Sequence, residues 1–237
     1  IKIGNMEGLN YLRYKAGRAI FRLNKFMFIR KKITSSDIER FSKMVDGKGK
    51  ALVVFSEFNH EEVLEEYDEM PHHLFDTEKY ISYFDDFPEE SYDTVICMGL
   101  LEHMKKPSEL IEKCHNALRP GGKVYIAASS VFSIHRGPEN YFHFTPYGAR
   151  ELLEQYEWSE LDIKGSCGPF RTVGINFQRV LLQSEINILF KPFLELIAWT
   201  IPLLDVLVKK QYDGHRFEEE RRIDSMMPSN IWVVAKK

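Results

Sequence analysis

The sequence is poor in cysteine and has no paired cysteine motif. Its three cysteines, Cys97, Cys114 and Cys167, stand far apart in a chain of 237 residues, and none forms a CxxC pair. This spacing argues against a disulfide framework and against a cysteine-based zinc site. Reduced, unpaired thiols are typical of the cytoplasm, which is the localisation we expect.

A secretion signal and long hydrophobic runs are also missing. The first residues show no basic stretch followed by an apolar core and a cleavage site. The most apolar segment runs from Ile186 to Lys210, and its longest stretch without a charged residue is nine residues. A membrane-spanning helix needs about twenty apolar residues. We therefore expect no transmembrane helix.

Glycine is absent from the turn after the first predicted strand. Ala51 to Phe55 is an unbroken apolar run, typical of a parallel strand that is covered on both faces. A helical pattern follows from His60 to Tyr67. The turn between them is Ser56, Glu57, Phe58 and Asn59, so it lacks the glycine that lets a backbone approach a ligand closely, although Asn59 could adopt a left-handed conformation and Ser56 is small.

Charge is distributed unevenly along the chain. The net charge is −3, but residues 1–50 hold 13 Lys/Arg against four Asp/Glu, which leaves +9 there and −12 for the rest. Cations and apolar residues are interleaved from Leu9 to Lys32, so we predict a basic helical N-terminal extension over residues 1–45. Such a helix either lies on an anionic surface or packs its apolar stripe on the domain. The acidic stretch from Glu57 to Asp93 argues against a nucleic-acid partner.

Strand patterns alternate with helical patterns along the rest of the chain. Ser35 or Ser36, with Glu39 following, predicts the N-cap of a short helix that ends near Val45. Thr145 before Pro146 predicts a second capped helix. Further strands are predicted at 70–76, 94–98, 123–127, 159–165 and 230–237, with a helix at 106–118. This alternation indicates a doubly wound α/β fold with a parallel sheet.

The run from Phe84 to Ser129 resembles a class I S-adenosylmethionine-dependent methyltransferase of the methyltransferase-11 type. The similarity lies in an acid followed by FP, SYD at the start of a strand, LLEH at its end, and LRPGG before the next strand. The stretch from His135 to Leu153 is similar to a subgroup found among polysaccharide and lipid-glycan modification enzymes. Together the resemblance covers roughly residues 48–182 and the last strand.

This resemblance implies a three-layer, Rossmann-like sandwich around a seven-stranded, mostly parallel sheet whose last strand is antiparallel. The methyltransferase-like core would then comprise residues 46–183 and 228–237. Residues 184–227 would form a helical insertion that serves as a cover on the sheet, a lid, an acceptor site or a dimer surface.

The resemblance also implies S-adenosylmethionine as cofactor. Asp76 would bind the ribose hydroxyls, while Asp85, Asp86 and Phe87 would lie beside the adenine. The remaining cofactor-binding positions that it implies are Ser56, Glu57, Met98, Gly99, Leu100 and His103. The sequence departs from the family at Ser56 to Asn59, where the family has glycines and Phe58 adds bulk. A protein of the same fold that no longer binds the cofactor productively, a binding or scaffolding module, is the alternative.

Methyl transfer to a hydroxyl would require a base, and His135, His143 and Glu102 are the candidate catalytic residues. His135 is our first choice; the two histidines could instead only order their loop. A metal site from His135, Glu139 and His143 would need a helix that Gly137 and Pro138 discourage, so we predict no metal site. We expect a small-molecule or lipid-linked glycan acceptor, peripheral contact with the inner membrane surface, and a homodimer as a further possibility.

Overall fold

The structure is a computed structural model that describes residues 28–29, 32–46, 49–54, 72–73, 88–135, 139–211 and 226–237. Its strands are β1 (Ala51–Val54), β2 (His72–His73), β3 (Tyr92–Met98), β4 (Leu118–Ser129), β5 (Glu160–Gly165) and β6 (Asn230–Lys236). Its helices are α1 (Ser35–Ser42), α2 (Pro107–Ala117), α3 (Pro146–Leu153), α4 (Pro169–Gln183) and α5 (Lys191–Thr200). Two 3₁₀ helices span Leu101–His103 and Ile201–Leu207. The predicted helix from His60 to Tyr67 lies outside the described residues.

The strands form one mixed sheet in the order β2-β1-β3-β4-β6-β5. β1 pairs in parallel with β2 and with β3, and β3 pairs in parallel with β4. β6 is antiparallel to both of its neighbours, β4 and β5. The mostly parallel sheet and its antiparallel last strand therefore agree with the prediction. The described residues contain six strands, and the seventh that the resemblance implies is not among them.

Side chains alternate between the two faces of the sheet, as the period of a strand requires. One face is formed by Leu52, Val54, Val95, Cys97, Val124, Ile126, Ile231 and Val233. The other face is formed by Val53, Ile96, Tyr125, Ala127 and Trp232. Both faces are buried, because helices α2 and α3 cover the first and Phe41 of α1 packs on the second. The expected three-layer sandwich is present.

The N-cap predicted from sequence is correct for α3 and wrong for α1. The Thr145 side chain accepts a 3.1 Å hydrogen bond from the Gly148 backbone N–H, which confirms the predicted cap of α3. The predicted cap at Ser35 or Ser36 is wrong, because Thr34 occupies the N-cap of α1 and makes no side-chain cap bond. Ser36 instead donates to the Ile33 carbonyl at 3.2 Å. The helix ends at Ser42, three residues before the predicted end.

Helices α4 and α5 and the 3₁₀ helix Ile201–Leu207 pack on one another. Gly174 of α4 permits this approach, since a Cβ at that position would lie 2.8 Å from the Pro202 ring. The Asp205 carboxylate accepts hydrogen bonds from the backbone N–H groups of Phe170 and Arg171 at 2.9 and 3.0 Å, so it caps α4 from the neighbouring element. Residues on both sides of the predicted boundary at 183/184 thus belong to one helical unit.

In and around α5, two charged residues are buried and several large apolar residues are exposed. Lys191 and Glu195 are buried, and Glu195 Oε2 accepts a 2.6 Å hydrogen bond from the Ile29 backbone N–H. Large apolar side chains of this region are exposed instead: Leu189, Phe190, Phe193, Leu196, Leu203, Val206 and Leu207. The apolar side of this segment thus faces outward, and its role as a cover, a lid, an acceptor site or a dimer surface stays a prediction. No helix among the described residues is long and apolar enough to cross a membrane.

Candidate functional site

A cavity of ≈ 430 Å³ opens at the carboxyl ends of β3 and β4. Ligands of open α/β sheets bind at this end, near the point where the strand order reverses. That reversal lies between β1 and β3, because the chain goes from β1 to β2 on one side and then to β3 on the other. The described lining residues are Lys32, Thr34, Asp37, Ile38, Phe41, Met98, Gly99, Glu102, His103, Ala127, Ser129, Phe132, His135, Arg179, Asn230 and Trp232.

Gly99 is the first residue after β3 and has φ of +66°. A positive φ is strained for residues with a side chain, so this glycine turns the chain sharply and leaves its backbone open to the cavity. Met98 lines the cavity next to it. Leu100, which the resemblance also placed at the cofactor, is fully buried in the hydrophobic core and does not line the cavity. Its apolar side chain packs in the core instead of facing the cavity.

Glu102 lies in the 3₁₀ helix after β3 and is only 2% exposed. Ser129, at the end of β4, donates a 2.7 Å hydrogen bond to its Oε1 atom. Its Oε2 atom is buried without a hydrogen-bond partner. The backbone carbonyl of Glu102 accepts from the N–H of Tyr141 at 2.8 Å, which ties the loop before α3 to the site.

His103 and His135 face each other at the cavity, with ring centroids 4.9 Å apart and planes at 87°. His103 Nδ1 lies 2.8 Å from the Glu139 carbonyl oxygen, and His135 Nδ1 lies 3.1 Å from that of Ser133. A carbonyl oxygen only accepts, so each Nδ1 carries the proton. In the neutral rings both Nε2 atoms therefore keep a lone pair.

The pKa of His135 is lowered from its ordinary value. Burial of the ring disfavours the charged form and is the largest cause, and the neighbouring His103 and Arg179 act in the same direction. The hydrogen bond to the Ser133 carbonyl and the charge of Glu102 oppose the shift. The neutral imidazole, with its free lone pair, is thus favoured.

His143, the second histidine predicted to be catalytic, does not line the cavity. Its side chain is exposed, and its Nε2 atom lies 2.7 Å from the Asn140 Oδ1 atom. The set of His135, Glu139 and His143 is not brought together. In the described part of the chain the one group with the potential to ligate a metal is Glu102, His103 and His135, whose ligand atoms all lie within 4.8 Å of one another.

The other half of the predicted cofactor site lies outside the described residues. It comprises Ser56, Glu57, Phe58, Asp76, Asp85, Asp86 and Phe87. Their roles stay predictions from the resemblance.

The outer wall of the cavity comes from residues that the sequence analysis did not assign to the site. Lys32, Thr34, Asp37, Ile38 and Phe41 belong to α1 and the segment before it. Three further residues, Phe132, Arg179 and Trp232, come from the loop after β4, from α4 and from β6. No motif marks them, because their positions depend on contacts between distant segments.

An ion pair holds this wall in place. Arg171 Nε of α4 lies 2.7 Å from Asp37 Oδ1 of α1. The same guanidinium donates to the Ile33 carbonyl at 2.9 Å and to the Ser36 hydroxyl. Arg40 pairs with the same Asp37 oxygen at 2.7 Å. The segment around α1 is thus attached to α4 by charged hydrogen bonds.

Comparison with known proteins matches residues 52–126 to the family described as "Methyltransferase domain". This stretch runs from β1 to β4 and contains Met98, Gly99, Glu102 and His103. Residues 52–126 are a methyltransferase domain. The recognition from LLEH and its neighbouring motifs is thereby confirmed at the level of this family, while the glycan-related subgroup stays a prediction.

Curated relatives match the same region of the methyltransferase domain. The ubiquinone biosynthesis O-methyltransferase of Pseudomonas syringae pv. tomato is 36% identical over 80 residues, which cover 34% of this chain and 32% of that protein. A probable S-adenosylmethionine-dependent methyltransferase of Mycolicibacterium smegmatis is 28% identical over 91 residues, 37% of this chain and 35% of that protein. The match thus spans about a third of the length of these relatives.

Solved structures resemble the chain more distantly. An Archaeoglobus fulgidus SAM-dependent methyltransferase is 13% identical with a TM-score of 0.45, and the match covers 88% of this chain and 96% of that one. A Bacillus halodurans methyltransferase is 14% identical with a TM-score of 0.49, covering 85% and 99%. The methyltransferase domain is therefore assigned from the family match and from its own sheet topology.

Proposed function

We propose that the chain transfers a methyl group from S-adenosylmethionine to a small-molecule acceptor. The observation that carries this proposal is the cavity at the carboxyl ends of β3 and β4, beside the reversal of strand order and lined in part by Met98, Gly99, Glu102 and His103 of the methyltransferase domain. Its volume of ≈ 430 Å³ lies within the range of about 300–1,000 Å³ that small-molecule sites have.

The described residues fit this cofactor. The backbone at Gly99 is open to the cavity, and Met98 offers an apolar contact on the same side. S-adenosylmethionine supplies a methyl group on a positively charged sulfur. The chain's own task is to hold the acceptor in line with that methyl group and to exclude water, and alignment alone accounts for much of the acceleration of such reactions.

An oxygen nucleophile is the acceptor atom that we propose. Curated relatives carry the name ubiquinone biosynthesis O-methyltransferase, and the polar end of the cavity contains Glu102, His103 and His135. In the transfer the acceptor oxygen forms a bond to the methyl carbon as the carbon–sulfur bond breaks, and the hydroxyl proton leaves. The imidazoles of His103 and His135 line the cavity, and with their Nε2 lone pairs they can assist this loss. A lipid-linked or glycan acceptor stays a prediction from the subgroup resemblance.

Titration calorimetry with S-adenosylhomocysteine tests the proposal. We expect binding to the wild-type chain, and a loss of about ten- to a hundred-fold in affinity on Asp76→Ala, because a carboxylate that accepts from a ribose hydroxyl is removed. Asp162→Ala is the matched control, since Asp162 lies on β5, away from the cavity lining. Phe58→Gly should strengthen binding by giving the turn predicted after β1 more conformational freedom.

The alternative function is a binding or scaffolding module with a methyltransferase fold. The turn without glycine, Ser56 to Asn59, is the feature that favours it. If neither the wild-type chain nor Phe58→Gly binds any adenosyl ligand while the circular dichroism spectrum remains that of a folded α/β protein, the module is the correct function and methyl transfer is refuted.

We also propose that the chain associates peripherally with an anionic membrane surface. The support is the exposed apolar side chains Phe190, Phe193, Leu203 and Val206, which are followed by exposed Lys209. Apolar residues beside cations are typical of helices that lie in a membrane interface. The wild-type chain should co-sediment with anionic liposomes at low salt, and Phe193→Ser should reduce the bound fraction. Self-association without liposomes in equilibrium sedimentation would assign this surface to a homodimer instead.

A further inference from the structure

Three potential metal ligands converge at the polar end of the cavity. Glu102 and His103 follow β3, and His135 lies in the loop after β4, so parallel neighbouring strands bring them to the same edge of the sheet. One oxygen of the carboxylate and one nitrogen of each imidazole all lie within 4.8 Å of one another. Two imidazoles and one carboxylate are a ligand set that binds divalent transition metals in a three-coordinate face.

Each of these three side chains is oriented by a second group. Ser129 holds the Oε1 atom of Glu102, the Glu139 carbonyl holds Nδ1 of His103, and the Ser133 carbonyl holds Nδ1 of His135. Metal-binding histidines generally donate their other ring N–H to a carbonyl or carboxylate, which fixes the tautomer and leaves the second nitrogen for the metal. Both histidines meet this condition with Nε2.

The Oε2 atom of Glu102 gives an independent indication. It is buried, and it has no hydrogen-bond partner. Burial of a charged oxygen without a partner is strongly unfavourable, so such an atom indicates that a binding partner belongs beside it. A cation bound by Glu102 and the two imidazoles would supply that partner.

We infer that Glu102, His103 and His135 bind one divalent transition-metal cation, such as Mn²⁺, Fe²⁺ or Zn²⁺. Ligand bonds to such ions are about 2.0–2.2 Å long, so binding draws the three side chains closer together than they lie here. Three protein ligands leave coordination positions open toward the cavity. This ligand set differs from the set of His135, Glu139 and His143 weighed from sequence spacing, and it shares only His135 with it.

The cation deepens the proposed function, and its catalytic role rests on that function. A metal ion lowers the pKa of a bound water or hydroxyl and orients it. The acceptor hydroxyl would bind at an open position and lose its proton to solvent, and its oxygen would then take the methyl group. In this arrangement His135 is a ligand, so the acceptor is activated by the cation and not by a histidine base.

The test is titration calorimetry of the chelator-treated full chain with Mn²⁺ and, separately, with Zn²⁺. We expect one cation per wild-type chain. His135→Ala should lower the affinity at least tenfold, while His143→Ala should leave it unchanged. The two variants are matched, because both histidines lie between β4 and α3 and only His135 belongs to the cluster.

Ser129→Ala gives a second test that keeps all three ligands. It removes the hydrogen bond that orients Glu102, and the loss of such an orienting bond lowers metal affinity by about 10- to 100-fold. Circular dichroism checks that each variant is folded. If His135→Ala does not fold, the number of cations bound per wild-type chain and the metal affinity of Ser129→Ala still test the inference.

The inference is overturned if the wild-type chain binds neither cation, or if His143→Ala weakens binding as much as His135→Ala does. S-adenosylhomocysteine titration of the same metal-free sample separates the two proposals. Metal binding without adenosyl binding refutes the methyl-transfer proposal alone, whereas adenosyl binding without metal binding refutes this inference alone.

Discussion

Arg171→Ala should lower the free energy of unfolding more than Arg40→Ala or Arg150→Ala does. The Arg171 side chain is 21% exposed and the Asp37 side chain 4%. Its guanidinium donates to Asp37, to the Ile33 carbonyl and to the Ser36 hydroxyl, so three acceptors lose a charged donor at once. Removing one partner of a buried ion pair costs about 3–5 kcal/mol in the free energy of unfolding.

Two contacts that remain in the variant place the expected loss of unfolding free energy at the lower end of that range, about 3 kcal/mol. Arg40 remains beside the same Asp37 oxygen at 2.7 Å. The Ile33 carbonyl keeps the 3.2 Å hydrogen bond from the Ser36 hydroxyl. Arg40→Ala, by contrast, removes a side chain that is 47% exposed and also donates to the Ser166 carbonyl; because solvent screens its charge, we expect a smaller loss of about 1–2 kcal/mol.

Urea unfolding followed by circular dichroism measures these losses, with Arg150→Ala as the control. Arg150 makes an exposed i,i+4 pair with Glu154 at 3.2 Å, so its loss should cost about 0.5 kcal/mol or less. The reasoning is refuted if Arg171→Ala costs no more than Arg40→Ala. Because Asp37 lines the cavity, Arg171→Ala should also weaken any ligand bound there.

Gly174→Ala should lower the free energy of unfolding by about 1–3 kcal/mol, because the added Cβ would lie 2.8 Å from the Pro202 ring and 2.9 Å from the Ala198 carbonyl oxygen. The backbone around that carbonyl cannot move away easily. The control is Gly148→Ala, which should not destabilise the protein, because its Cβ would meet only the Thr145 hydroxyl at 3.5 Å. The pKa of Asp46 is lowered by the Tyr125 hydroxyl and then by Lys123, so its contribution is present above the unfolded pKa and is lost as the pH falls through the folded pKa. Tyr125→Phe should therefore reduce the stability lost between neutral and acidic pH, by less than about 1 kcal/mol because the carboxyl is exposed; an unchanged pH dependence would contradict this assignment.

The strands and the polar end of the site are the parts that the sequence predicts well. β1, β3 and β6 were expected from runs of apolar residues, and this signal is local because neighbouring side chains alternate between two buried faces. Glu102 and His103 were expected at the end of a strand and His135 in the next loop. Their meeting follows from the parallel order of β3 and β4.

The outer wall of the cavity could not be predicted in the same way. Asp37 and Arg171 are 134 positions apart, and nothing in either segment indicates the other. Which side of α5 is buried was also not predictable, because the buried Glu195 has its hydrogen-bond partner at Ile29, 166 positions away. Local sequence determines which residues form a helix, while distant partners determine which side of it is buried.

The position of β6 in the sheet has a consequence for how the protein is made. β6 lies between β4 and β5, which both precede it in the chain, and within the described residues β5 pairs with β6 alone. Proteins are synthesised from the N-terminus at about 5–20 residues per second. On the ribosome, therefore, β5 has no neighbour to join and one edge of β4 remains unpaired until residues 230–236 emerge. A nascent chain arrested before this point would lose two strands from its sheet, and it would expose an edge to which other chains can add.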